Sequence, residues 1–426
     1  MSPTELPTAF RHIEGRLHCE RVPLSAIAER FGTPTYVYSR AAVESALRAY
    51  QAALAGRDGL VCYAMKANSN LAILDLVARA GGGFDIVSGG ELARVLAAGG
   101  DPRRTVFSGV GKRDDEIEAA LAAGILCFNL ESADELEHVE RVAARRGARA
   151  PVSVRVNPDV DPGTHPYIST GLRENKFGVA WSDAAALYRE AARCRHVDVV
   201  GIDFHIGSQI TQVAPYVDAA ERMLDLVDGI EAGGIRLHHI DFGGGLGIRY
   251  RDEAPPPAGQ LVAALLARVD ARGHAAKRIV FEPGRSIVGD AGVLLTRVHR
   301  LKTAAQRTFA VVDAAMNDLL RPSLYEAWMD VQVVEAAPVP PRRMDIVGPV
   351  CESGDWLARD RDLPAAAGDL LAVMSAGAYG MSMSSNYNTR PRAAEVVVDG
   401  DRLHEVRRRE RLEDLYAGES RLPGGF

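Results

Sequence analysis

The chain has 426 residues, 47% of them hydrophobic and 25% charged, with a formal net charge of −6. That length exceeds one ordinary core and predicts two domains of a soluble globular protein. The acidic balance gives no reason to expect a nucleic-acid partner, and no apolar run reaches the roughly 18 residues that a membrane span needs.

The first twenty residues, MSPTELPTAFRHIEGRLHCE, lack a basic segment followed by an apolar one, so no signal peptide is expected. Two short apolar pieces, TAFRHIEGRLHCE and TPTYVYS, read as strands. An amphipathic helix follows, SRAAVESALRAYQAALAG. Next come eight short apolar runs: LVCYAMK, GFDIVS, RTVFSG, ILCFNL, VSVRVN, VVGIDFHIG, LHHIDFGGG and RIVFEPGR. Seven stretches with helical spacing separate them, several ending at glycine. Strands alternating with helices imply a parallel sheet with right-handed crossovers. Eight such units predict a closed (β/α)8 barrel of the TIM type over residues 37–290. Beyond residue 290, RTFAVVDAA, DVQVVEAA, RRMDIVGPV, DLLAVMSAG and AAEVVVDG are β-rich. They predict a second, all-β domain, resembling a β-sandwich or β-barrel, from residues 1–36 plus 291–426. The basic run RRRER at 407–411 sits among acidic neighbours and reads as solvated surface. The five cysteines are scattered without a C-x-x-C, which argues against a disulfide framework or a zinc site and fits a reducing, cytoplasmic setting.

A barrel of this kind places chemistry at the C-terminal ends of its strands. There the sequence offers Lys66, Asp85, His205, the turn GGGLG at 243–247, and Glu282 with Arg285. Singly, each has an ordinary reading. Lysines at strand ends commonly reach solvent, a Gly-rich turn can be only a tight connection, a histidine can be a satisfied core residue, and Glu282 can be a rim ion pair with Arg285. Together they predict bound pyridoxal 5′-phosphate: Lys66 as the Schiff-base amine, the Gly turn on the phosphate, and Glu282 on the pyridine nitrogen. No metal is expected.

The chain resembles the barrel-type, fold-type III pyridoxal-phosphate decarboxylases, a family that includes ornithine and arginine decarboxylases. The resemblance rests on YAMKAN (63–68), FDIVSGGEL (84–92), RVNPDVDPGTHPYISTG (155–171), KFGV (176–179), HIGSQI (205–210) and DFGGGLGI (241–248). It continues through EPGRSIV (282–288), DAAMNDLLRPSLY (313–325), GPVCESGDWLA (348–358) and GAYGMSMSSNYNTRPRAAE (377–395). It implies that His205 stacks on the cofactor ring, and that Asp85 lines the site. Ser208, Gly244, Gly245 and the backbone around Gly284 hold the phosphate, and Tyr379 closes over cofactor and substrate. It further implies that Arg285, Arg321 and Tyr325 bind the carboxylate the substrate retains. Glu352 takes the ammonium beside it, and Cys351 returns a proton after carbon dioxide leaves. Bidentate Arg and a carboxylate suit a zwitterionic distal centre, and a thiol is a reasonable acid. The ordinary readings remain a small buried hydrophobe for Cys351 and a surface charge for Arg321.

The activity implied is conversion of meso-2,6-diaminopimelate to L-lysine and carbon dioxide, the last step of lysine biosynthesis. The alternative is a decarboxylase of another diamino acid, of the ornithine, lysine or arginine type. CES at 351–353 separates the two, since ornithine decarboxylases resemble CDG there. A racemase resembles the chain at the lysine but lacks HIGSQ and CESGD. A PLP-binding homeostasis protein resembles a bare barrel without the second domain. The resemblance also implies a homodimer with shared active sites, the β-domain loop of one subunit reaching the barrel of the other.

Overall fold

In a computed structural model of the chain, residues 9–160, 176–305, 307–335 and 339–423 are described. Residues 161–171 of the RVNPDV motif lie outside them. The chain forms two compact units, Val43–Val288 and Met1–Ala42 with Gly289–Phe426.

The first unit is the expected barrel. Its strands are Gly59–Ala64, Gly83–Ile86, Thr105–Phe107, Cys127–Leu130, Ala150–Asn157, Val197–Asp203, His239–Asp241 and Arg278–Phe281. Each pairs in parallel with the next, and the eighth closes on the first through Ile279 opposite Gly59 and Phe281 opposite Val61. The seven expected helices lie between them, and Arg40–Ala53 leads. Three helices start on side-chain caps, where Asn70, Ser88 and Ser132 accept backbone N–H groups of the first turn.

Alternate residues of a strand share a face. Low in the barrel, Leu60, Cys62, Val106, Cys127 and Val280 form an apolar cluster. Toward the C-terminal ends of the strands the inner positions turn polar, with Asn129, Arg155, Asp203 and Asp241 all buried. His239 stands between the two levels, its Nε2 3.8 Å from the Cys127 thiol. Gly201 faces it, and a Cβ there would fall 2.1 Å from His239 Nε2.

The second unit is built on Gly292–Ala304, a 13-residue strand. It pairs with Arg307–Val312, Leu370–Val373 and Thr35–Ser39. Thr35–Ser39, the TPTYVYS piece, is buried throughout and also runs parallel to Ala394–Asp399. The first residues form a small antiparallel sheet of Phe10–Ile13, Arg16–Cys19 and Val22–Pro23. Besides the two-residue strands Val22–Pro23 and Val179–Ala180, the strands not expected include Gly292–Ala304, Trp356–Leu363 and Arg402–Arg407. Trp356–Leu363, Arg402–Arg407 and the second half of Gly292–Ala304 carry charged residues on exposed stretches, so the apolar alternation is weak there. Gly292–Ala304 nevertheless buries Val293, Leu294, Leu295 and Val298, and Trp356–Leu363 buries Leu357 and Leu363.

Gly201→Ala drives a methyl group into His239. A loss of about 1–3 kcal/mol is expected for such overpacking, read as a lower urea midpoint, while Gly229→Ala, where a Cβ meets nothing within 4 Å, is the control.

Candidate active site

Lys66 sits in a single turn, Met65–Ala67, directly after the first barrel strand. Its Nζ donates to Asp85 Oδ2 at 2.6 Å, and its side chain is 40% exposed while that of Asp85 is fully buried. The second barrel strand therefore delivers a carboxylate that aims the amine. Asp85 Oδ1 is buried without a hydrogen-bond partner among the described residues. Buried carboxylate oxygens are nearly always satisfied, so this one marks a place for a further donor.

The Gly turn follows the seventh strand. Gly243 N–H donates to Asp241 Oδ1 at 2.8 Å, and Gly244 N–H donates to His205 Nδ1 at 3.2 Å. Accepting that bond places the proton of a neutral imidazole on Nε2. Burial, with Arg155 and Lys66 nearby, holds the His205 pKa well below the ordinary imidazole value, so the ring is neutral. A Cβ on Gly244 would lie 2.1 Å from the Glu282 carbonyl oxygen. The turn is thus bare backbone pressed against the end of the eighth strand, the surface a phosphate needs. Gly245 accepts from Ile210 N–H at 2.9 Å, and Gly284 from Ile287 N–H at 3.0 Å in the short helix Arg285–Val288. Arg285 is buried and donates to Ser208 Oγ at 2.9 Å and to Tyr250 OH at 2.7 Å.

Beneath this rim lies a floor of acids. One oxygen each from Asp203, Asp241 and Glu282 falls within 4.8 Å of the others. The three residues are 1%, 0% and 6% exposed. Two carboxylates that close, at an effective dielectric of about 20, repel by roughly 3 kcal/mol or more. Burial is the first cause that pushes all three carboxyls up, Asp203 to about 7; repulsion within the cluster adds to it for Asp241 and Glu282, and Glu131 and Asp85 add to it for Asp203. Asn129 Nδ2 approaches Glu282 Oε1 at 3.4 Å. Arg155 reaches Glu131 at 3.3 Å, and the fully buried Lys112 ammonium bonds Glu135 and two backbone carbonyls.

The remaining expected residues belong to the second unit. Cys351 and Glu352 are exposed on the loop Gly348–Asp355. Buried Asp355 pins that loop, accepting Met316 N–H at 2.6 Å and Val350 N–H at 2.8 Å. Cys351 N–H donates to Asn388 Oδ1 at 2.9 Å, and Tyr387 OH lies 3.5 Å from Glu352 Oε2. Arg321 is buried and Tyr325 half-buried on one short helix, Arg321–Tyr325. Tyr379 is half-buried with φ 55°. The ordinary readings of Cys351 as a buried hydrophobe and Arg321 as a surface charge are both overturned.

Sequence reading passed over Asn129, Arg155, Asp203, Asp241 and Tyr250. Four of these stand within the quoted runs FNL, RVN, GIDF and HIDF, and Asp203 and Asp241 lie two and three residues from His205 and Gly244. Alternation could have placed them on the inner face. Tyr250 carries no such signal, since it follows the Gly turn in irregular backbone.

These residues fit one kind of group. An orphaned carboxylate oxygen stands beside a lysine, a turn would be filled by any Cβ, and acids face upward beneath it. That set accepts an aldehyde, an anionic tail and a basic ring nitrogen, and it defines a cofactor-dependent enzyme of the pyridoxal-phosphate class. Residues 40–289 match the family model for the pyridoxal-dependent decarboxylase, pyridoxal binding domain. The chain is 62% identical over 414 residues to the diaminopimelate decarboxylase of Pseudomonas aeruginosa, covering 97% of this chain and 99% of that one. The diaminopimelate decarboxylase of M. jannaschii in complex with L-lysine superposes with a TM-score of 0.93 at 36% identity, covering 97% of this chain and 98% of that one. The Helicobacter pylori enzyme complexed with L-lysine gives 0.89 at 42% identity, covering 93% and 99%. The chain belongs to the diaminopimelate decarboxylase family of pyridoxal-dependent decarboxylases.

Gly244→Ala should fold yet bind pyridoxal 5′-phosphate at least 10-fold more weakly, because the added methyl meets backbone at 2.1 Å. Titration of the visible absorbance of the bound cofactor reads the effect.

Proposed function

We propose that this chain decarboxylates meso-2,6-diaminopimelate to L-lysine and carbon dioxide, the last step of lysine biosynthesis. The observation that carries the reading is L-lysine, the product, bound in relatives that superpose over nearly the whole chain. When bound, pyridoxal 5′-phosphate supplies the electron sink for the pair left behind as carbon dioxide departs. Everything else falls to the protein. Lys66 provides the amine and Asp85 orients it. Ser208, Gly244, Gly245 and the turn at Gly284 receive the phosphate. Glu282 presents a carboxylate to the ring nitrogen, and neutral His205 offers a flat face to the ring without adding positive charge. Tyr379 closes the pocket. Arg321, Tyr325 and Arg285 take the retained carboxylate, and Glu352 its ammonium. The bonds from Arg285 to Ser208 and Tyr250 also give it a part in holding the phosphate side. Cys351 holds the proton that returns to the α-carbon.

The active form in this reading is a homodimer with shared sites. Exposure of Cys351 and Glu352 on a loop pinned by Asp355 supports it, since a rigid loop can present both groups to a second copy. A cytoplasmic setting is supported by five free cysteines.

Purified protein supplied with meso-diaminopimelate should release carbon dioxide and lysine in equal amounts. Arg321→Ala should lower kcat/KM by on the order of 100-fold, as loss of a buried charge partner of about 3 kcal/mol implies. Faster turnover of ornithine, lysine or arginine would transfer the assignment to another diamino acid.

Lys66→Ala and Cys351→Ala should each be inactive alone. Mixed and allowed to exchange subunits, they should regain up to about one quarter of wild-type activity, because half the dimers are mixed and each has one intact site of two. No recovery, with exchange proven by mass, would place Cys351 with the barrel of its own chain.

A further inference from the structure

Asp241 occupies a junction that the reaction as described does not use. Its Oδ1 accepts Gly243 N–H at 2.8 Å and so anchors the Gly turn. The same turn bonds the other acid of interest, since Glu282 N–H donates to the Gly243 carbonyl at 2.7 Å. Asp241 Oδ2 and Asp203 Oδ1 are buried and have no hydrogen-bond partner among the described residues. Both side chains have one oxygen within 4.8 Å of a Glu282 oxygen. One proton on this cluster would turn an orphaned acceptor into a donor.

We infer that Asp241 is a positioning residue for Glu282. It carries a proton on Oδ2 and donates it toward Glu282 while Oδ1 holds the Gly turn, so that Glu282 stays the charged acid facing the cofactor's ring nitrogen.

The surroundings favour this division. The acids facing Asp241 are Asp203 and Glu282, with Asp85 beyond. The cations facing the cluster are Lys66 and Arg155, and Glu131, bonded to Arg155, brings the carboxylates facing them to five. Lower in the barrel, the thiols of Cys62 and Cys127 are raised by burial, and His239 is depressed to about 4, so all three are neutral. Of the acids, Glu282 gains a positive partner when the cofactor's ring binds. Asp241 is the one already bonded to the turn, so a proton there serves the ring and the phosphate ends together.

Asparagine mimics this arrangement. Its amide oxygen can accept Gly243 N–H, and its NH2 can donate to Glu282. Leucine matches the size and does neither. The dissociation constant of pyridoxal 5′-phosphate should therefore stay within about 3-fold of wild type in Asp241→Asn and rise at least 10-fold in Asp241→Leu. In a Glu282→Gln background the difference between the two should vanish. A second reading needs no Leu variant. Because the folded-state carboxyl pKa is raised, its contribution to stability is present below the unfolded value, about 4, and is lost as pH rises through the folded value. The melting temperature of the loaded wild type should fall from pH 5 to 8, and that of Asp241→Asn should fall less. Asn as weak as Leu, Leu as tight as wild type, a difference that survives Glu282→Gln, or equal pH slopes would each overturn the inference. It rests on the cofactor and not on the substrate. A wild type that bound no pyridoxal 5′-phosphate would remove the underlying reading instead.

Discussion

Closure of the eight-stranded sheet is the constraint from which the site follows. When Arg278–Phe281 pairs with Gly59–Ala64, residues more than two hundred positions apart become neighbours. Ala64 N–H then bonds the Pro283 carbonyl at 3.1 Å, so the backbone just before Lys66 is tied to the backbone just after Glu282. A parallel closed sheet has no free edge at which this register could slip. Lysine and acid are therefore fixed by main-chain hydrogen bonds, before any side-chain contact is counted.

The same closure explains why the interior changes character along its axis. The lower layer is filled by Leu60, Val106, Val280 and two thiols, as a packed barrel core should be. The upper layer substitutes Asp203, Asp241, Asn129 and Glu282 for branched apolar side chains. Burying acids in place of aliphatics costs stability, and burial raises the pKa of all three carboxyls. Such a floor suits a ring that arrives with its own positive charge. Stability is given up there in exchange for a site that is electrostatically incomplete until something cationic occupies it.

The second unit solves a different problem. Its long strand Gly292–Ala304 gathers partners from residue 35 to residue 373, and the N-terminal strand Thr35–Ser39 is buried between two strands from the far end of the chain. On this frame Asp355 fixes an exposed loop by two backbone bonds. An exposed thiol and carboxylate are thereby held in place without being covered, which suits groups that must meet a substrate.

Sequence alone determined the barrel, because strands buried on both faces write continuous apolar runs and helices between them write a 3.6-residue period, both local signals. It also brought Lys66, the Gly turn and Glu282 to the ends of barrel strands, because each ends one of those runs. The outer strands Trp356–Leu363 and Arg402–Arg407 escaped, since charged residues on an exposed edge leave no period to read. What only the tertiary structure decided is which acids stand together. Asp203, Asp241 and Glu282 come from three different strands, and each alone in sequence is an unremarked acid at a strand end. Their coupling depends on distance in a low-dielectric interior, and that distance exists only once the sheet has closed.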